Sequence, residues 1–129
     1  MKSHRENAEG FLVRVRETDA IAGFINLNEV VLGPYQRGLL GYGAFLPSAG
    51  QGFMTEGLDE VTRIAFDELG LHRLEADIQP GNRASLRLVQ KAGFRREGLS
   101  PDFIFIDGQW KDHERWAKIN IRGGNPVTL

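Results

Sequence analysis

Residues 50–55 read Gly-Gln-Gly-Phe-Met-Thr and stand between an apolar alternating stretch and the start of a helical one. Glycines at 50 and 52 let the backbone approach a ligand closely. The first amides of the helix that follows have no acceptor within it, and the helix dipole favours an anion there. A strand, a glycine loop and a helix start in that order can cradle a pyrophosphate. Many strand-to-helix turns carry glycine for steric reasons alone, so the loop by itself does not decide. No Lys-Ser/Thr pair follows it, and no third glycine stands at the dinucleotide spacing, which excludes Walker A and Rossmann loops.

A second group lies downstream. Asn82 is a good N-cap for a short helix, and Ser85, three residues on, shares its face. Both also have plain structural explanations, as a cap and as a small helix-surface residue. Glu75 and Asp77 alternate with apolar residues, and Asp102, Asp112 and His113 sit late in the chain. Each is a candidate general base, and each has an equally simple role in a cleft wall, a cross-strand pair or solvent. His72 follows a helix end, where the dipole faces it. His4 lies in the polar N-terminal stretch. The absence of cysteine excludes a disulfide framework, a thiolate zinc site and a cysteine nucleophile together.

The elements that must position these groups follow from periodicity. Residues 11–16 alternate as a strand, Glu17-Thr18-Asp19 turns, and residues 21–32 return as the second strand of an antiparallel hairpin. Gly33-Pro34 breaks it. Residues 39–46 form a third strand ending before Pro47. Met54, Leu58, Val61, Ala65 and Leu69 then fall on one helix face, with Gly70 at the left-handed closing position. Residues 73–79 alternate again, Pro80-Gly81 stops them, and a helix runs from Asn82 through Ala92 to Gly93. Residues 102–106 and 115–121 are two last strands joined at Asp107-Gly108. Strand hairpins at the ends and strand–helix–strand crossovers between them imply an α/β (α+β) fold, a mixed sheet with helices on its faces.

The chain has 129 residues, 41% of them hydrophobic, enough for one domain over residues 1–129 and too little for two. The net charge of -1 gives no bulk attraction for nucleic acid or an anionic membrane. Arg83, Arg87 and Lys91 make one basic stripe at helical spacing, a solvated face or a local attraction for phosphates. No apolar run approaches the roughly 20 residues of a membrane helix, and the N-terminus lacks a signal-peptide core. The expectation is a cytoplasmic protein with no nucleic-acid or membrane partner.

Taken together, Gly70-Leu71-His72-Arg73-Leu74-Glu75-Ala76, Asn82-Arg83-Ala84-Ser85 and Lys91-Ala92-Gly93-Phe94 before Glu97-Gly98 resemble the RimJ/RimL branch of the GNAT N-acetyltransferases. The glycine loop with Met54-Thr55-Glu56 and the later Gly108-Gln109-Trp110-Lys111-Asp112-His113 fit the same branch, so the resemblance runs from about Phe11 to Ile121. It implies a GNAT-like, mostly antiparallel sheet and transfer of an acetyl group from acetyl-coenzyme A directly to a primary amine. The acceptor would be a protein N-terminus or a small molecule. It implies further that the pantetheine lies along the strand at Phe45 and Leu46, one of whose amides steadies the oxyanion. The pyrophosphate would rest on the loop and helix start at Gly50, Gln51, Gly52, Phe53, Met54 and Thr55. Asn82 would bond the pantetheine region and Ser85 would serve the leaving sulfur.

This sequence departs from the pattern in two ways. Pro47 and Ala49 stand where the superfamily has a Gln or Arg and the branch often an aromatic residue. The chain also begins near where the family's second helix would end, so the expected fold lacks the first strand and helices. The strand at 11–16 is then an exposed edge, open to pairing in a homodimer. A catalytically inactive coenzyme A-binding module is the alternative from another class.

Overall fold

A computed structural model describes residues 9–45 and 52–121. Leu46, Gly50 and Gln51, like His4, Pro47 and Ala49, lie outside the described residues. Among the described residues, six strands form one sheet in the order β1-β2-β3-β4-β6-β5. They are β1 (Glu9–Arg14), β2 (Ile21–Val31), β3 (Arg37–Ala44), β4 (Arg73–Ile78), β5 (Arg95–Ile106) and β6 (Gln109–Ile119). Only β3 and β4 run parallel; the other neighbours are antiparallel. Helix α1 (Phe53–Arg63) makes the crossover from β3 to β4, and α2 (Arg83–Lys91) leads from β4 to β5. The order of elements is the one the periodicity predicts.

Both helices cover the same face of the sheet. Leu58, Val61 and Ala65 of the first crossover and Val89 and Ala92 of the second meet Ile25, Leu27, Leu40, Leu74, Ala76 and Trp116 in one core. A fully buried leucine of this kind contributes about 1.5–3 kcal/mol. Helix α1 lies close against β1, because a Cβ on Gly57 would stand 2.7 Å from Val13 Cγ2. Alternation puts Arg37, Arg73, Glu75, Asp77 and Arg115 on the opposite face. Among the described residues, no helix is long and apolar enough to cross a membrane.

Two expectations needed correction. The last two strands are longer than their apolar stretches, reaching back to Arg95 and starting at Gln109. Their polar ends pair as well as the apolar ones, Arg95 with Ala117 and Ser100 with His113. Asp107 and Gly108 take positive φ of 53° and 78°, as a two-residue hairpin turn of this twist requires. The first helix, in turn, does not continue as an α-helix to Leu69. A π turn occupies Ile64–Glu68, and the Leu69 amide donates to Ile64 O at 3.0 Å.

Candidate functional site

The site begins where two parallel strands part. β3 and β4 are paired only from Arg37 with Arg73 to Leu40 with Ala76, while β3 runs on to Ala44 and β4 to Ile78. Beyond Leu40 the two separate. Backbone groups of alternate residues point to alternate sides of a strand. The Phe45 amide donates to Ala22 O of β2 at 2.8 Å, so the groups of Tyr42 and Ala44 point the other way, into the gap. This corrects the expectation for Phe45. Its amide is engaged by β2, and the gap-facing amide next to it belongs to Ala44.

A cleft of about 290 Å³ opens beside this end of β3, with walls from β3, the start of α1 and one side of α2. Gly52, Phe53, Met54 and Thr55 all line it. Gly52 has φ 82°, and among the described residues no side chain caps the helix it precedes. The first amide bonded within the helix is that of Glu56, to Gly52 O at 3.2 Å. The amides of Phe53, Met54 and Thr55 precede it and have no acceptor inside the helix. An uncapped N-terminus of an 11-residue helix therefore opens on the cleft, and its donors and dipole fit an anionic group.

The other wall starts at Asn82. Its Oδ1 accepts from the Ser85 amide at 3.2 Å, which caps α2 as its sequence position predicts. Ser85 is buried at 8% exposure and lines the cleft with Asn82. Its Oγ lies 2.5 Å from the hydroxyl of Tyr42 on β3. Burial pushes the Tyr42 phenol above its usual value, and the hydrogen bond with Ser85 opposes this only in part. Arg87 and Lys91 line the cleft from α2, whereas Arg83, the third member of the basic stripe, does not.

Tyr42 was not among the residues singled out by sequence. Its place two residues after Leu40 puts it on the core side of β3, and a buried tyrosine hydroxyl usually finds a partner. Those two facts were readable. That the partner is Ser85, 43 residues away, was not.

The candidate bases are mostly engaged. Glu75 accepts from Arg37 Nη1 at 2.6 Å and from Arg73 Nε at 2.7 Å. Burial alone would raise its carboxyl, but the hydrogen bonds from Arg73 and Arg37 outweigh it and hold the group below its usual value. Asp77 accepts from Arg115 Nε at 2.6 Å. Asp112 Oδ1 accepts from the Asp102 amide at 2.9 Å, a cross-strand tie that fixes the bulge in β5. His113 is buried, with Nδ1 3.0 Å from Lys111 O. A carbonyl only accepts, so the proton is assigned to Nδ1. His72 is exposed at the end of the first crossover.

This arrangement of splayed parallel strands, uncapped helix and capped second helix coincides with a sequence match. The profile of the Acetyltransferase (GNAT) domain matches residues 1–95. The chain belongs to the GNAT acetyltransferase family. A probable N-acetyltransferase of Bacillus subtilis, YjcK, is 40% identical over 104 residues, covering 79% of this chain and 56% of that protein. The structure of the ribosomal-protein-S5-alanine acetyltransferase of Vibrio fischeri superposes with a TM-score of 0.85 at 27% identity, over 91% of this chain and 64% of that one. That of Mycobacterium smegmatis RimJ in complex with CoA-disulfide does so with a TM-score of 0.82 at 27% identity, over 88% and 53%. This GNAT chain thus has RimJ-like relatives and spans about half the length of the curated proteins it matches.

Proposed function

We propose that residues 1–129 act as one acetyl-coenzyme A-binding domain of an N-acetyltransferase, moving the acetyl group directly to a primary amine. The observation that carries this is the cleft beside the end of β3, with the start of α1 at one wall and Asn82 with Ser85 at the other. The pantetheine would add to β3 as an extra strand, using the gap-facing groups of Tyr42 and Ala44. The pyrophosphate would take the amides from Gly50 through Thr55, and Arg87 and Lys91 add positive charge at the same cleft.

The chemistry is a single displacement. The amine nitrogen forms a bond to the thioester carbon, the carbon–sulfur bond breaks, coenzyme A leaves as the thiolate, and the amine gives up its proton to solvent water. The Ala44 amide is the donor proposed for the developing oxyanion. Ser85 is the proposed catalytic donor to the leaving sulfur. A protein N-terminal amine is the first acceptor to try, because the Vibrio fischeri relative is described as acting on an alanine of ribosomal protein S5. A small-molecule amine is the other.

A coenzyme-binding module without catalysis is the second reading. It is favoured by the ion pairs that engage the Glu75 and Asp77 carboxylates with Arg37, Arg73 and Arg115. The edge strand β1 supports pairing with a second copy, which a clean monomer by light scattering at high concentration would rule out. Calorimetric titration of acetyl-coenzyme A, followed by release of free thiol with a peptide and an amine panel, tests the main reading. Micromolar binding with acceptor-dependent thiol release is expected. Binding without release selects the module, and no binding overturns both.

A further inference from the structure

We infer that Tyr42 is a positioning residue for the transfer step: its hydroxyl donates to Ser85 Oγ and so aims the Ser85 proton at the coenzyme sulfur. The inference rests on the role proposed above for Ser85.

The relative acidity of the two hydroxyls gives the direction of the bond. The two oxygens stand 2.5 Å apart, so one of them donates. Both residues line the cleft, but a phenol is the stronger acid and an alkyl hydroxyl the better acceptor, so the proton shared between them is the Tyr42 proton. Among the described residues no other group accepts from it. With Tyr42 as donor, both protons are placed and the Ser85 proton is left facing the cleft that Ser85 lines. A serine on a helix is otherwise free to turn its proton back to a carbonyl of the preceding turn. The Tyr42 bond fixes the oxygen and, by polarising it, makes Ser85 a stronger donor. Tyr42 itself does not surrender its proton. Burial holds its phenol above the usual 10.0, whereas a thiol titrates near about 8.5, so transfer from Tyr42 to the thiolate runs uphill. The pair therefore stabilises the thiolate by a hydrogen bond and leaves its final protonation to solvent.

The test needs no acceptor. Coenzyme A with a free thiol is bound to the wild-type chain and to Tyr42→Phe, Ser85→Ala and the double variant. Its thiolate is then followed by ultraviolet absorbance as the pH is raised. Arg87 and Lys91, the charged groups at the cleft, favour the thiolate equally in all four proteins and cancel in the comparison.

At a fixed pH below the thiol's own titration, wild type should hold a roughly tenfold larger thiolate fraction than free coenzyme A. Ser85→Ala should lose that gain, Tyr42→Phe should lose at least half of it, and the double variant should be no worse than Ser85→Ala. Coenzyme affinity should change less than about threefold in Tyr42→Phe, since the ring that fills the space is kept. An unchanged thiolate fraction in Tyr42→Phe beside a loss in Ser85→Ala overturns the inference and leaves the function standing. No gain in wild type, or no coenzyme binding, overturns the Ser85 reading and this inference with it. Should Tyr42→Phe melt far below wild type, the Ser85→Ala and Ser85→Thr pair decides instead. Threonine keeps the hydroxyl and should restore the gain, and failure to do so counts against a hydroxyl aimed at the sulfur.

Discussion

Asn82 closes the start of α2 with its own side chain, Oδ1 accepting from the Ser85 amide at 3.2 Å. The same bond that starts the helix fixes where Ser85 begins its turn. Cap and candidate ligand group are therefore one residue, and the two roles separate by substitution. Asn82→Ala should cost about 1 kcal/mol of stability, as loss of an N-cap does, and should weaken acetyl-coenzyme A binding roughly tenfold if the amide also donates to the pantetheine. Asn82→Asp keeps the cap and cannot donate. It should match wild type in thermal unfolding and match Asn82→Ala in weakened binding. Wild-type affinity in the aspartate variant would leave Asn82 with the cap alone.

Gly52 carries a different constraint. Its φ of 82° is left-handed, and a Cβ there would meet nothing within 4 Å. Strain and crowding are thus separable from charge. Gly52→Ala and Gly52→Glu should lose a similar 1–2 kcal/mol, about the strain of a non-glycine residue in that region. Only the glutamate puts an anion beside the uncapped amides of α1. Its coenzyme affinity should fall at least about tenfold below that of the alanine variant at low salt, and the gap should narrow at high salt. Equal affinities across that salt series would remove the helix start from the phosphate site.

Glu75 links stability to pH. Its side chain is only 9% exposed between Arg37 and Arg73, and the two arginines hold the carboxyl below its usual 4.5 despite burial. The unfolded chain therefore binds a proton first as pH falls. The stabilisation is complete above about 4.5 and is lost as the pH drops through the folded value. Glu75→Gln should lower stability at pH 7 by about 2 kcal/mol, because it leaves two arginines short of an anion. Arg73 keeps Glu97 as a partner, which limits the loss. The acid limb of the stability profile should be flatter in the variant. Parallel acid limbs in urea titrations of the two proteins would show that another carboxylate sets the dependence.

Period and turn chemistry made the order of elements readable, because each apolar face here has a single partner. What stayed hidden depended on register between distant strands. That the Phe45 amide points to Ala22 rather than into the gap follows from the pairing of β2 with β3, for which 45 and its neighbours carry no local signal. The polar start of β5 was missed because Arg96 and Glu97 do not look like strand residues. They are held there by Glu114 and Arg73 across the sheet. Ser85 and Asn82 were legible as a pair because a helix start brings them together. Tyr42 joins them only through the fold.

The end of the first crossover offers a check on register that does not involve the site. Continued as an α-helix, it would place Leu69 on the face of Leu58, Val61 and Ala65. The π turn instead makes the Leu69 amide reach Ile64 O, five residues back, and the extra residue rotates Leu69 outward to 39% exposure. Gly70, at φ 70°, then reverses the chain. Leu71 closes the turn with its amide on Ala65 O at 2.9 Å and becomes fully buried. Leu71→Ala should accordingly cost about 2–5 kcal/mol, the range for a leucine removed from a packed core. Leu69→Ala should stay within about 1 kcal/mol, since an exposed side chain leaves no cavity. Equilibrium denaturation of both variants measures the contrast. Comparable losses would mean that Leu69 shares the core and that the helix keeps its α register to the end.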